Sequence, residues 1–190
     1  AEILLKHDTL GNLTQVTYPS GSIATMHYDL GGRKTGMSDP DLGYWRYAYD
    51  RHSRLTRQTD ARNKTTCLYY DSAGRLAGKH FRTNTSCPGS VGTYDIRYSY
   101  DGNHSSSNRS RGQLTQVYYH KSGGYYKNLY YNAQGQLARE QVRVPGMNAV
   151  NSYYDYDAYL RPNKVTYPDG DQVTTTYNGL GLPQTLHSSI

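Results

Sequence analysis

The chain has 190 residues, a formal net charge of +6 and 22 tyrosines against one phenylalanine and one tryptophan. The weak charge argues against a disordered chain, and tyrosine supplies the aromatic area that the scarce aliphatic residues do not. Tyrosine and threonine favour strands, whereas glutamate occurs only at Glu2 and Glu140, so the composition predicts an all-β protein without long helices.

The distribution of charged and apolar residues excludes or disfavours further classes. The sequence contains no run of 18 apolar residues, so we expect no membrane span. The arginines are spaced along the chain and form no basic block, which disfavours nucleic acid as a partner. The segment 1–6 is too short for a signal peptide, so we expect either that a signal has been removed or that the chain is an internal fragment.

A short motif recurs from one end of the chain to the other. Tyr28-Asp29 is followed by Tyr49-Asp50 and Tyr70-Asp71 at intervals of 21 residues, and His7-Asp8 lies 21 residues before Tyr28. Insertions near 83–90 and 102–111 lengthen the later intervals. We therefore predict one array over residues 1–190, with eight repeats that start near residues 7, 28, 49, 70, 100, 131, 156 and 177.

Each repeat contains two turn signals. In the Tyr-Asp-x-x-Gly segment the aspartate side chain can accept backbone hydrogen bonds, and glycine accepts a positive φ, although Ser53 and Leu160 replace it in two repeats. The second signal is a Pro-x-Gly sequence, as at 18–21 and 167–170. Two turns and two short strands per repeat predict one β-hairpin.

A lone hairpin is only marginally stable, so we expect the hairpins to stack edge to edge into a continuous, twisted antiparallel sheet. Tyrosine ladders would stabilise its faces. We assign a structural role to the following repeat-motif residues: Tyr28, Asp29, Gly32, Tyr49, Asp50, Tyr70, Asp71, Gly74, Tyr100, Asp101, Gly112, Tyr131, Gly135, Tyr156, Asp157, Tyr177 and Gly181.

The pattern Tyr-Asp-x-x-Gly-Arg-Leu-Thr, with Asp60-Ala61-Arg62-Asn63 and a Tyr-x-Tyr before the next repeat, resembles the YD-repeat or Rhs (rearrangement hot spot) family. The resemblance covers nearly the whole chain, and its best matches are 49–66 and 70–78. It implies a secreted or cell-surface protein whose repeats form a spiralling sheet, part of a hollow shell or tube.

In bacterial toxins of this family the shell encloses a toxic domain, and in animal teneurins a similar shell serves adhesion. The Asp-Pro-x-Gly motif that carries self-cleavage in bacterial shells is not visible here. Asp39-Pro40-Asp41 lies mid-repeat without the surrounding pattern, so the resemblance does not imply self-cleavage for this chain. We expect no toxin domain within residues 1–190, and therefore part of a shell or a smaller repeat protein.

The sequence offers no catalytic constellation, metal site or cofactor motif, so we expect a protein that is not an enzyme and carries no cofactor. Pairs of aspartates fall at turns, where aspartate is expected anyway, and no two histidines have a metal-ligand spacing. Cys67 and Cys87, 20 residues apart, are either a disulfide or two free thiols.

Two kinds of surface site are left as candidates. Asn-x-Ser/Thr sequences occur at Asn12, Asn63, Asn84, Asn103 and Asn108, and each is a candidate for glycosylation or simply a turn residue. The doublets Tyr125-Tyr126 and Tyr153-Tyr154 depart from the repeat and are candidates for ligand contact.

We weigh three functions. The first is a non-catalytic structural module that encloses, displays or self-assembles through its sheet edges, even into filaments. The second is an adhesion module that binds glycans or a cell-surface receptor. The third is a container fragment of a bacterial polymorphic toxin.

Overall fold

The computed structural model describes residues 2–102, 110–121 and 123–189, and this part of the chain contains strands and turns but no helix. The strands are β1 (Leu4–His7), β2 (Leu13–Thr17), β3 (Ile23–Tyr28), β4 (Lys34–Asp39), β5 (Gly43–Tyr49), β6 (Leu55–Thr59), β7 (Thr65–Tyr70), β8 (Leu76–Arg82), β9 (Ile96–Tyr100), β10 (Leu114–Tyr119), β11 (Tyr125–Tyr131), β12 (Leu137–Arg143), β13 (Val150–Tyr156), β14 (Pro162–Thr166), β15 (Gln172–Tyr177) and β16 (Pro183–Ser188).

The chain divides into two compact halves, with the boundary after Tyr94. In the N-terminal half β1 to β8 pair in chain order, each antiparallel to the next. In the C-terminal half β9 to β16 do the same. The predicted fold class, all-β with tandem antiparallel hairpins, is confirmed.

A shift of register marks each repeat start. The β3–β4 register shifts between His27 and Tyr28, and the β5–β6 register shifts between Ala48 and Tyr49. A bulge inserts an extra residue, bends its strand and redirects side chains. Equivalent shifts occur in the pairs β1–β2, β7–β8, β9–β10, β11–β12, β13–β14 and β15–β16.

Little of either half is buried. Among the described residues the buried hydrophobic side chains are Ala24 and Cys67, and the buried polar ones include Thr59, Thr65 and Thr115. Most strand residues are half-buried, as expected for a sheet that has no second layer of elements packed on it within its half. Apolar burial is therefore spread over many half-buried side chains along the sheet and is not gathered in a central core.

Candidate functional site

The Tyr-Asp turns share one hydrogen-bonding pattern. In the repeat that starts at Tyr49, the amide of Ser53 donates to the Asp50 carbonyl at 3.0 Å, and the amide of Asp50 donates to the Arg54 carbonyl at 3.0 Å. The Asp50 carboxylate accepts the amides of His52 (2.9 Å) and Arg54 (3.0 Å). The turn is closed twice, once by the backbone and once by the aspartate side chain.

In seven repeats the third residue after the repeat Asp or Asn has a positive φ. Glycine fills the position in five of them, at Gly11, Gly32, Gly74, Gly135 and Gly181. In the other two, Ser53 has φ 62° and Leu160 has φ 63°, a region that suits glycine and strains leucine. The aspartate therefore closes the turn even where the sequence lacks glycine. In the repeat with the long insertion, the Asp101 carboxylate accepts the amide of Gly112.

An ion pair spans the turn in four repeats. Arg54 binds the Asp50 carboxylate at 2.7 Å through Nε and again at 2.7 Å through Nη2. The Arg54 backbone amide, together with this guanidinium, lowers the pKa of Asp50 to about 2. The equivalent pairs are Arg33–Asp29 at 2.7 Å, Arg75–Asp71 at 2.8 Å and Arg161–Asp157 at 2.7 Å.

The same arginine contacts the next repeat. Arg33 donates through Nη1 to the carbonyl of Asp50 at 3.2 Å, and its guanidinium lies 5.1 Å from the ring centroid of Tyr49. Arg54 lies 4.5 Å from the Tyr70 ring. Where glutamine replaces arginine, the contact is kept: Gln136 Nε2 donates to the Leu160 carbonyl at 2.8 Å. One side chain thus connects two consecutive turns.

The hydroxyls of the repeat tyrosines donate hydrogen bonds to backbone carbonyls of the preceding repeat. The Tyr70 hydroxyl donates to the carbonyl of Leu55 at 2.8 Å, and Leu55 is the residue that pairs with Tyr49 of the preceding repeat. Burial of the ring also raises the pKa of Tyr70 above its ordinary value. The equivalent bonds are Tyr28–Leu13 at 2.9 Å, Tyr49–Lys34 at 2.8 Å, Tyr131–Leu114 at 2.7 Å, Tyr156–Leu137 at 2.9 Å and Tyr177–Pro162 at 2.5 Å.

A groove with a volume of about 410 Å³ separates the turns that start at Tyr131 and Tyr156. Two carboxylates line it, and both are held in ion pairs, Asp155 with Lys164 at 2.9 Å and Asp157 with Arg161 at 2.7 Å. Each of the two carboxylates that line the groove therefore has a cationic partner.

The insertion 83–94, which we call the strap, lies against one face of β6 to β8. Cys87 of the strap is bonded to Cys67 of β7 in a disulfide with a Cα–Cα distance of 5.7 Å. The hydroxyl of Tyr69 donates to the Pro88 carbonyl at 2.9 Å, and its ring centroid lies 5.4 Å from that of Tyr94. Of the two states left open for the cysteines, the structure has the disulfide.

The sequon asparagines that the structure describes lie in turns or in the strap. Asn12 Nδ2 donates to Asp8 at 2.9 Å, and Asn63 Oδ1 accepts from Arg46 at 2.6 Å. Asn84 is exposed and accepts the Ser86 amide at 3.1 Å. Asn103 and Asn108 lie outside the described residues.

The two tyrosine doublets do not form one surface. Side chains alternate between the faces of a strand, so Tyr125 and Tyr126 lie on opposite faces of β11. The same holds for Tyr153 and Tyr154 in β13. The Tyr125 ring contacts Tyr119 edge to face at a centroid distance of 4.9 Å. Tyr153 is the most exposed of the four, at 46%.

Two further kinds of site do not occur in the part of the chain that the structure describes. It holds no group of three or more His, Cys, Asp or Glu side chains placed to bind a metal ion. It also contains no helix long and apolar enough to span a bilayer.

These features define a tandem-hairpin repeat protein whose repeats are joined at their turns. The family model named RHS Repeat matches residues 7–42, which confirms the resemblance to YD or Rhs repeats. No curated protein matches the sequence significantly.

Solved structures share the fold. Crystal structures of TcdB2-TccC3 and of TcdB2-TccC3-TEV match with TM-scores of 0.76 and 0.75, and the Tc holotoxin pore of Photorhabdus luminescens matches with 0.76. Each is 16% identical and covers 99% of this chain. The chain spans about a tenth of the length of those chains, which contain the same fold of stacked hairpins.

The side chains that cross repeat boundaries were not predicted from the sequence. An Arg or Gln follows the turn in six of the eight repeats, and it was visible in triplets such as Gly-Arg-Leu at 74–76 and Gly-Gln-Leu at 112–114. Its recurrence was a signal for a shared contact. The strap had no such signal, because an insertion does not repeat.

Proposed function

We propose that the chain is a non-catalytic structural module of a secreted or cell-surface protein, a segment of a repeat shell. The observation that carries this proposal is the repeated connection across repeat boundaries, in which a tyrosine hydroxyl binds one repeat back and an arginine or glutamine binds one repeat forward. Such connections stabilise an array of any length. In this proposal the eight repeats form one continuous array.

The fold likeness supports a more specific role. The Tc structures are of toxin subunits found together, TcdB2 with TccC3, and of a holotoxin pore. A chain with the same fold and an RHS repeat is suited to be a wall segment of a similar container, which we prefer to an adhesion module. The tyrosine doublets, divided between two faces, favour the structural role over glycan or receptor binding.

The outermost described strands suggest how the module assembles. All four residues of β1 and all six of β16 are exposed. Within the described residues β1 pairs only with β2, and β16 only with β15. An open strand edge is a template for another strand, so we propose that a further repeat or a second copy pairs there.

Light scattering on size-exclusion fractions over a hundredfold concentration range tests this assembly. The chain should associate as concentration rises, and negative-stain microscopy should show elongated particles. Leu186→Lys places a charge in β16 and should reduce association, whereas Leu180→Lys, at a similarly exposed leucine in a turn, should not. A monomer at every concentration, or equal effects of the two variants, would contradict assembly through edges.

A further inference from the structure

Two arginines outside the row of turns line a small cavity in the N-terminal half. Arg46 of β5 and Arg57 of β6 surround it together with Thr59 and Thr85, and its volume is about 190 Å³. Arg46 pairs with Thr59 across the two strands, which places both on one face of the sheet. We call this space the arginine cavity. It is smaller than the pockets that hold whole small-molecule ligands, so it suits a single chemical group.

Neither arginine is neutralised by an acid within the described residues. Arg46 Nη2 donates to Asn63 Oδ1 at 2.6 Å, and Arg57 Nη1 donates to the Thr85 carbonyl at 3.3 Å, both neutral oxygens. The turn arginines, such as Arg33, bind a carboxylate instead. A guanidinium has five N–H donors, so each cavity arginine keeps several for a ligand.

A buried hydroxyl adds a further donor. Thr59 is 1% exposed, and its Oγ1 lies 2.9 Å from Oγ1 of Thr65. One proton of this pair makes the bond between them. When Thr65 supplies it, the Thr59 proton is free to be donated into the cavity.

The fourth residue that lines the cavity, Thr85, belongs to the strap. Thr85 lies two residues from Cys87, which is bonded to Cys67 of β7. Cys67 pairs with Arg57 across β6 and β7, so the disulfide fixes the strap on the face that carries the cavity. A ligand site whose walls are fixed before binding loses less entropy on binding.

We propose that the arginine cavity binds a tetrahedral oxyanion group, a sulfate or a phosphate. Two unneutralised guanidiniums provide the charge and the forked donors that such groups prefer, and the Thr59 hydroxyl adds a neutral donor. The group can come from a free ion or from an ester on a larger molecule, such as a sulfated glycan. The inference goes beyond the structural role and does not depend on it.

Isothermal titration calorimetry on the intact, oxidised chain at fixed ionic strength tests the site. The probes are inorganic sulfate, inorganic phosphate, a sulfated heparin tetrasaccharide and its desulfated form. Saturable binding of an oxyanion should weaken roughly tenfold or more in Arg57→Gln and in Arg46→Gln. Arg57→Lys, which keeps the charge but loses the fork, should bind with intermediate affinity.

Arg139→Gln is the matched control, since Arg139 lies over the Tyr130 ring in the other half and lines no part of the cavity. Its binding should equal that of the parent chain. Far-ultraviolet circular dichroism confirms that each variant is folded. The Cys67→Ser/Cys87→Ser double variant, with its strap released, should also bind more weakly.

Tighter binding of the sulfated tetrasaccharide than of the free ions identifies an ester on a glycan as the source. Equal affinity for free ions and tetrasaccharide identifies the ion itself. Absence of saturable binding to every probe overturns the site. An equal loss in folded Arg57→Gln and Arg139→Gln also overturns it, because binding would then follow net charge alone.

Discussion

The hydroxyl of Tyr49 donates to the backbone carbonyl of Lys34 at 2.8 Å, and Lys34 is the residue that pairs with Tyr28 at the preceding bulge. Fifteen residues separate donor and acceptor. A β-bulge leaves backbone groups without their regular ladder partners. The tyrosine hydroxyl of one repeat therefore supplies a hydrogen bond to a backbone carbonyl at the bulge of the previous repeat. Phenylalanine has no hydroxyl and could not make this bond.

Removal of one such hydroxyl should destabilise the fold. Tyr70→Phe keeps the ring that Arg54 contacts but leaves the Leu55 carbonyl without this donor. We expect the free energy of unfolding to fall by about 1 kcal/mol, measured by urea denaturation. Tyr159→Phe is the control, because Tyr159 is 80% exposed and its hydroxyl makes no described hydrogen bond. Equal destabilisation by the two changes would refute the role of the hydroxyl.

The strained turn at Leu160 should be open to improvement. Its φ of 63° is costly for leucine and ordinary for glycine. Leu160→Gly should raise the free energy of unfolding by up to about 1 kcal/mol, even though glycine adds entropy to the unfolded chain. Leu180→Gly, at an exposed turn leucine without a positive φ, should be neutral or destabilising. A Leu160→Gly variant that melts earlier than the parent in thermal scans would show that the strain is not significant.

The turn aspartates should make stability depend on acid pH. The pKa of Asp50 is about 2 in the folded chain, whereas its unperturbed value is 3.8. At a pH between these two values the folded state therefore binds fewer protons than the unfolded state. The stabilisation is complete above about pH 4 and is lost as the pH falls towards 2. The pKa values of Asp29 and Asp71 are lowered too, first by the backbone amides of Arg33 and Arg75, so the losses add.

Asp50→Asn isolates one of these groups. Asparagine can still accept the turn amides, as Asn132 does from Gln136 at 2.9 Å, but it cannot titrate or pair with Arg54. The variant should be less stable than the parent at pH 7 and nearly equal to it at pH 2, measured by urea midpoints. A constant difference between the two proteins from pH 7 to pH 2 would rule out the ion pair as its cause.

The disulfide should contribute through the loop that it closes. Cys67 and Cys87 are 20 residues apart, and closing a loop of that size stabilises a fold by about 3 kcal/mol. Cys67→Ser/Cys87→Ser, and the parent chain in reductant, should both unfold at lower urea concentration. Reductant should not shift the midpoint of the double variant. A parent chain insensitive to reductant would show that the strap does not depend on its cross-link.

Physical chemistry that acts over a few residues made much of the fold predictable. Asp and Gly in the Tyr-Asp-x-x-Gly segment specify a turn locally, and the turn persists at Ser53 because the Asp50 carboxylate closes it. Tandem hairpins then follow from the repeat spacing. Alternation along a strand could also have shown that Tyr125 and Tyr126 face opposite ways.

Contacts between repeats could not be predicted in the same way. The bond from Tyr70 to Leu55 depends on the bulge register, and no local sequence signal marks which carbonyl is left for a side chain. The arginine cavity depends on where the strap folds, which only the tertiary structure specifies. Arg46 and Arg57 therefore resembled any other regularly spaced arginines in the sequence.

The most direct test of the repeat architecture is residue-resolved amide hydrogen exchange. In seven of the eight repeats the amide that follows the repeat Asp or Asn is in a turn and has no hydrogen-bond acceptor among the described residues. In the repeat of Asp101, the amide of Gly102 instead donates to Thr115 Oγ1 at 3.1 Å. The seven positions are Thr9, Leu30, Arg51, Ser72, Ala133, Ala158 and Gly179. Fast exchange there, between protected strands and with the 21-residue interval at 9, 30, 51 and 72, is the predicted result. Protection that ignores this interval, or a continuous helical pattern across the repeats, would contradict an array of hairpins joined at their turns.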